Sequence, residues 1–103
     1  MAEKTYAGVT VQVDDEGYLL DPNQWTEDIA KEMAKEDGLE LTDTHIQVLK
    51  FLRNKYQKGE SLTIRAVGKS GIVDIKGFYK LFPGAPLKKA SKYAGLPKPS
   101  SCV

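Results

Sequence analysis

Gly95-Leu96-Pro97-Lys98-Pro99-Ser100-Ser101-Cys102-Val103 closes the sequence and sets how the rest of it is read. Just before it, Pro86 to Ala94 has a helical pattern, with proline in the first turn and Gly95 just past the last residue. Proline is tolerated where a helix's first N–H has no partner, and glycine takes the left-handed conformation that ends one. Beyond Gly95 two prolines bar further helix and favour extended backbone. The expectation is a single-domain body over residues 1–95 and a mobile, semi-rigid arm over residues 96–103 carrying the chain's one cysteine, Cys102. Fully extended, the seven residues from Gly95 to Cys102 would reach roughly 23 Å. A lone cysteine is usually a small buried apolar residue. Here Ser100 and Ser101 precede it and no apolar run surrounds it, which points to an exposed thiol at a chain end.

Working back from the arm, Leu87, Ala90 and Ala94 form a small apolar face on the last helix, with Lys88, Lys89 and Lys92 outward. Upstream, Ser61 can cap a short helix from Leu62 to about Lys69, Gly68 to Gly71 is a turn, and Asp74 caps a helix from Ile75 to Phe82. Phe78, Tyr79 and Phe82 are core or partner contacts on that helix. Two short helices across a glycine-containing turn have a helix-turn-helix outline. Thr42 caps a longer, central helix whose core stripe is Val48, Leu49, Leu52 and Tyr56, widened by Ile46 and Phe51 and stopped by Gly59. His45, in its first turn, has no other His or Cys nearby and reads as structural. Thr26 caps an earlier helix, with Glu27 and Asp28 at its positive end and Trp25, Ile29 and Met33 on one face; Trp25 reads as a core anchor. At the start, Tyr6 to Val13 reads as one strand, Asp14 to Gly17 as a turn and Tyr18 to Leu20 as the returning strand. The fold class that follows is α+β, mainly α: a small N-terminal β-hairpin packed on an orthogonal helical bundle with a helix-turn-helix-like pair and an extended C-terminal arm.

A length of 103 residues supports one modest core, and 41% hydrophobic residues suits a globular chain. One cysteine excludes an internal disulfide and a cysteine-rich zinc site, and one histidine argues against any metal; no cofactor is expected. Met1-Ala2-Glu3-Lys4 has no apolar leader pattern and no stretch approaches membrane-spanning length, so the expectation is a cytoplasmic protein without membrane insertion. The net charge of +1 hides a division. Residues 1–60 hold 7 Lys/Arg against 13 Asp/Glu, a net of −6, whereas residues 61–103 hold 8 Lys/Arg against Asp74 alone, a net of +7. The cysteine lies in the basic half, where the field favours anionic partners and the thiolate form. No glycine-rich phosphate loop, serine elbow or paired-carboxylate site is visible.

At Leu81-Phe82-Pro83, and at Ala94-Gly95-Leu96-Pro97-Lys98-Pro99 followed by Cys102-Val103, the sequence resembles the DsrC/TusE family of small sulfur-carrier proteins, which includes the gamma subunit of dissimilatory sulfite reductase. The likeness extends to Asp14-x-x-Gly17-Tyr18-Leu19, Trp25 and Ile64-Arg65, nearly the whole chain. It implies a mostly helical fold with a small hairpin and a mobile arm, and a Cys102 that carries sulfane sulfur as a persulfide. It also implies a sulfurtransferase-type carrier rather than a true turnover enzyme, serving sulfur-donor and sulfur-acceptor proteins, dissimilatory sulfite reductase or a tRNA-thiolation relay among them. A monomer is expected. Members that work with sulfite reductase carry a second cysteine eleven positions before the last; here that position is Ser91, which cannot join a disulfide. A single-thiol relay, as in TusE-like members, remains. The short segment between Arg65 and Leu81 resembles the sulfite-reductase branch instead, so the two features point to different branches. Within this reading Arg65 and Lys98 would support the Cys102 thiolate against the Val103 carboxylate, and Leu81, Phe82, Gly95, Leu96, Pro97 and Pro99 would supply arm and docking contacts. The rival from another class is a helix-turn-helix nucleic-acid-binding regulator, resting on the basic half and on Lys76 and Lys80, with DNA as partner. A third reading is a non-catalytic regulatory subunit of a sulfite reductase complex.

Overall fold

The computed structural model describes residues 2–99, so Cys102 and the rest of Ser100–Val103 lie outside the described residues, as does Met1. The chain forms β1 (Ala2–Tyr6), β2 (Val9–Val13), a 3-10 turn at Pro22–Gln24, then α1 (Glu27–Glu36), α2 (Asp43–Gln57), α3 (Ile64–Gly68), α4 (Ile75–Leu81) and α5 (Pro86–Tyr93). The expected class, a small hairpin on a mainly helical body, is the one observed.

The hairpin is placed differently from the sequence reading. Tyr6 to Val13 is not one strand: β1 and β2 pair antiparallel, Ala2 opposite Val13 and Tyr6 opposite Val9, around a two-residue turn at Ala7-Gly8. Both turn residues have positive φ, +52° and +77°. Such a turn matches the right-handed twist of the strands, at a steric cost for alanine of roughly 1–2 kcal/mol. Without Asn-Gly or Asp-Gly, its sequence signal was weak. The expected turn at Asp14–Gly17 also exists: Asp14 Oδ1 accepts from the N–H of Glu16 (2.9 Å) and of Tyr18 (3.0 Å). It returns the chain for a single bridge, Val13 to Leu19. Tyr6, Val11, Val13 and Leu19 are buried.

Each long helix begins as its capping residue dictates. Thr26 Oγ1 accepts from Ile29 N–H (3.2 Å). Thr42 accepts from His45 N–H, and His45 Nδ1 reciprocally accepts from Thr42 N–H (3.0 Å). With Nδ1 accepting, Nε2 carries the proton and donates to Leu81 O at 2.7 Å, while the ring meets Phe82 edge-on at 5.0 Å. The histidine thus ties the start of α2 to the end of α4. The first short helix is capped by Thr63 rather than Ser61 and is shorter than expected, because Thr63 Oγ1 takes Ala66 N–H at 3.0 Å. Asp74 caps α4 as expected, through Gly77 N–H at 2.7 Å. Ile29, Met33, Leu49, Leu52, Phe78, Phe82, Leu87 and Tyr93 fill the core. Tyr56, expected on the core stripe of α2, is exposed instead, because it lies in the last turn of the helix, where Asn54 and Gln57 are exposed as well. Tyr79 is exposed on α4, as are Lys76 and Lys80. Among the described residues no helix is long and apolar enough to cross a membrane.

Candidate functional site

The last turn of a helix leaves four carbonyls without intrahelical partners. In α5 each of them is satisfied. Leu96 N–H donates to Ser91 O (3.0 Å) and Gly95 N–H to Lys92 O (3.1 Å), the paired pattern that ends a helix on a left-handed glycine. Gly95 has φ +72°. The next carbonyl, Tyr93 O, receives the indole N–H of Trp25 at 2.6 Å, and Ala94 O receives Arg53 Nη1 at 2.9 Å. The guanidinium lies over the indole, 4.6 Å from its ring centroid. Burial draws Arg53 below its ordinary range, yet a guanidinium stays charged and complements the negative end of the helix.

Space is as tight as the bonding is complete. A Cβ on Gly95 would lie 2.6 Å from Trp25 Cδ1, so residue 95 must be glycine both for its φ and for its contact. Leu96, the first residue of the expected arm, is 1% exposed and belongs to the core. On the other side of α5, Asp37 Oδ2 accepts from Tyr93 Oη (2.8 Å) and Lys92 Nζ (3.1 Å). Partial burial would push the Asp37 carboxyl up; those two hydrogen bonds outweigh it and hold the group below the usual carboxylate range. Burial, then the Asp37 contact, pushes the Tyr93 phenol up.

The backbone surfaces only at Pro97. Pro97, Lys98 and Pro99 edge a groove of about 450 Å³ with Tyr56, Glu60, Ser61, Leu62 and Thr63. Lys98 Nζ pairs with Glu16 Oε1 at 3.1 Å, both side chains well exposed. A larger cleft, about 680 Å³ and lined by Lys31, Lys35 and Gly38 to Leu41, includes no residue of the arm and no thiol or hydroxyl side chain. Among the described residues no group of three or more His, Cys, Asp or Glu side chains could hold a metal ion.

The predicted site residues are thus dispersed. Cys102 lies outside the described residues. Lys98 is engaged by Glu16, whose charge offsets the support it could lend a thiolate. Arg65 is exposed in the first turn of α3 and does not line the groove. Leu81 is partly buried, its carbonyl held by His45. Phe82 has no exposed surface and packs on His45, Phe78 and Tyr93, so it is a core residue and offers no docking face. Gly95 and Leu96 are buried, whereas Pro97 is exposed and Pro99 half-buried. Ser91 is fully buried on α5, and its hydroxyl has no hydrogen-bond partner among the described residues. Sequence reasoning missed Arg53 and the true task of Trp25, which is half-buried and pins the end of α5. One signal was present: Arg53 follows Leu49 by four residues, on the edge of the core-facing stripe of α2.

The model of the family described as DsrC-like protein matches residues 5–103. The chain is 41% identical to a protein named sulfurtransferase TusE from Pectobacterium atrosepticum, over 95% of this chain and 97% of the relative. It is 36% identical, over the full length of both, to the dissimilatory-type sulfite reductase subunit gamma of Nitratidesulfovibrio vulgaris. The NMR structure of Allochromatium vinosum DsrC superposes with a TM-score of 0.83 at 38% identity, covering 98% of this chain and 97% of that one.

Proposed function

Because this chain belongs to the family of DsrC-like proteins, we propose that it relays sulfur between partner proteins, with Cys102 as the carrying thiol. One observation supports this most: the family match runs through Cys102, and the chain leading to that residue leaves the body from a helix end with every terminal carbonyl satisfied. A thiol at the end of a short proline-containing arm suits delivery between active sites better than turnover within one.

The step balances without an external oxidant. The Cys102 thiolate attacks the outer sulfur of a donor persulfide, a new S–S bond forms, the donor's S–S bond breaks, and the donor thiolate leaves. Cys102 then holds the persulfide until an acceptor thiolate removes its outer sulfur in the same way. An unassisted cysteine near pKa 8.5 is about 3% thiolate at pH 7, so a basic surrounding raises the rate. Arg65 is the candidate for that help, since Lys98 shares its charge with Glu16. Ser91 cannot close a disulfide with Cys102, so the reading is a one-thiol carrier whose partners are sulfur-donor and sulfur-acceptor proteins, with a dissimilatory sulfite reductase among the candidates.

Intact-mass measurement after incubation with a persulfide-loaded donor tests this. Cys102 should gain one sulfur, about 32 Da, lost again on reduction. Cys102→Ser should show no gain. An unchanged mass with a donor that loads another carrier overturns the proposal.

A further inference from the structure

We propose that Trp25 and Arg53 are positioning residues: together they form a clamp that sets the direction in which the thiol-bearing arm leaves the body. The proposal rests on the sulfur-relay reading for what the arm delivers, but the clamp itself is built from described residues. Its two partners come from elements far apart in sequence, Trp25 from the end of the 3-10 turn and Arg53 from α2. Each takes one of the two carbonyls that the glycine-ended helix leaves over, Tyr93 O at 2.6 Å and Ala94 O at 2.9 Å. They also brace each other, with the guanidinium 4.6 Å over the indole. The indole fills the space a side chain would need at residue 95, so the turn at Gly95 cannot rotate toward it.

Among the described residues no comparable restraint acts further out. Past Leu96 the described chain has one exposed ion pair and the groove edge. The heading of the arm is therefore decided at Tyr93–Leu96. A change of about 20° there would move a point roughly 20 Å along the arm by about 7 Å. Misplacement of a reacting atom by as little as about 1 Å can cost a hundredfold in rate. The clamp should thus matter to a protein donor that must meet the thiol at a fixed place, and little to a small reagent that meets it anywhere.

The experiment uses the full chain and two conservative variants. Trp25→Phe keeps a ring and removes the donor to Tyr93 O; Arg53→Lys keeps the charge and removes the planar fork. Two rates are measured at a temperature where circular dichroism shows each protein folded: alkylation of Cys102 by iodoacetamide, and single-turnover sulfur transfer from a persulfide-loaded protein donor. Alkylation should stay within about twofold, while transfer falls about tenfold or more. Met33→Ala, a core variant away from the clamp, should lower the melting temperature at least as much and leave transfer unchanged. Arg53 is half-buried rather than core, so Arg53→Lys keeps the test open if Trp25→Phe fails to fold. Equal transfer by wild type and folded variants overturns the clamp alone. Failure of the wild type to accept sulfur overturns the relay reading, and this proposal's functional part with it.

Discussion

Tyr93–Leu96 and Pro97–Pro99 are consecutive in sequence and are held by opposite kinds of force. The first segment is buried, with each terminal carbonyl of α5 satisfied and an indole packed under its glycine. The second is held at the surface by an exposed ion pair and the edge of a groove. Buried polar groups are costly to leave unpaired, so the first segment is fixed by what its loss would cost. Exposed charges are already well solvated, so the second is held by little. Among the described residues the buried run therefore ends at Leu96, one residue past the glycine.

The sharpest way to break this contrast is truncation on either side of that boundary. Leu96→Ala removes a core side chain and should destabilise the protein by about 2–5 kcal/mol, measured by chemical denaturation. Pro97→Ala, one position on, should stay within about 0.5 kcal/mol. A Leu96→Ala cost below about 1 kcal/mol would mean that the anchored segment ends at Gly95.

In α5, just ahead of the buried segment, one group is out of place. Ser91 sits on α5 with no exposed surface and a hydroxyl unpaired among the described residues. An unsatisfied buried hydroxyl costs about 1–3 kcal/mol, and alanine is the better helix former. Ser91→Ala should therefore raise stability by about 1 kcal/mol, read as a higher denaturation midpoint with an unchanged slope. A loss of stability would show that the hydroxyl has a partner and that the packing around it is less apolar than its neighbours indicate.

How much of this was legible in the sequence follows the range of the forces involved. Caps act over three residues, so Thr26, Thr42 and Asp74 were readable from their own neighbourhoods, and so was Gly95 as a stop. Glycine at residue 95 could be seen to end a helix, but not to lie against Trp25, because that contact joins residues 70 positions apart. Arg53 could be placed at the edge of the α2 stripe but not matched to its target for the same reason, since that target is a carbonyl 41 positions on. The hairpin was misplaced because both Ala7-Gly8 and Asp14–Gly17 can turn, and alternation through Val9, Val11 and Val13 does not say where a strand begins. Phe82 reads equally well as a core or a docking residue from its spacing; packing against His45, Phe78 and Tyr93 decides it. Cys102, the carrying thiol of the proposed relay, is legible in the sequence and lies outside the described residues.

The smallest effect probes the exposed side of the boundary. Lys98 Nζ and Glu16 Oε1 are 3.1 Å apart, with side chains 42% and 55% exposed. Exposed pairs of this kind contribute about 0.2–1 kcal/mol, because water solvates both charges when the pair opens. Lys98→Ala and Glu16→Gln should each change stability by no more than about 0.5 kcal/mol, and a double-mutant cycle should give a coupling of similar size. That coupling should vanish near 1 M salt, where the screening length is about 3 Å. Sulfur transfer to Cys102 should keep its wild-type rate in Lys98→Ala, since the heading of the arm is set upstream. A coupling above about 1 kcal/mol that survives high salt would mean that Pro97–Pro99 is docked as firmly as Tyr93–Leu96. The difference between the two segments would then disappear, and the arm would have to detach before it could deliver anything.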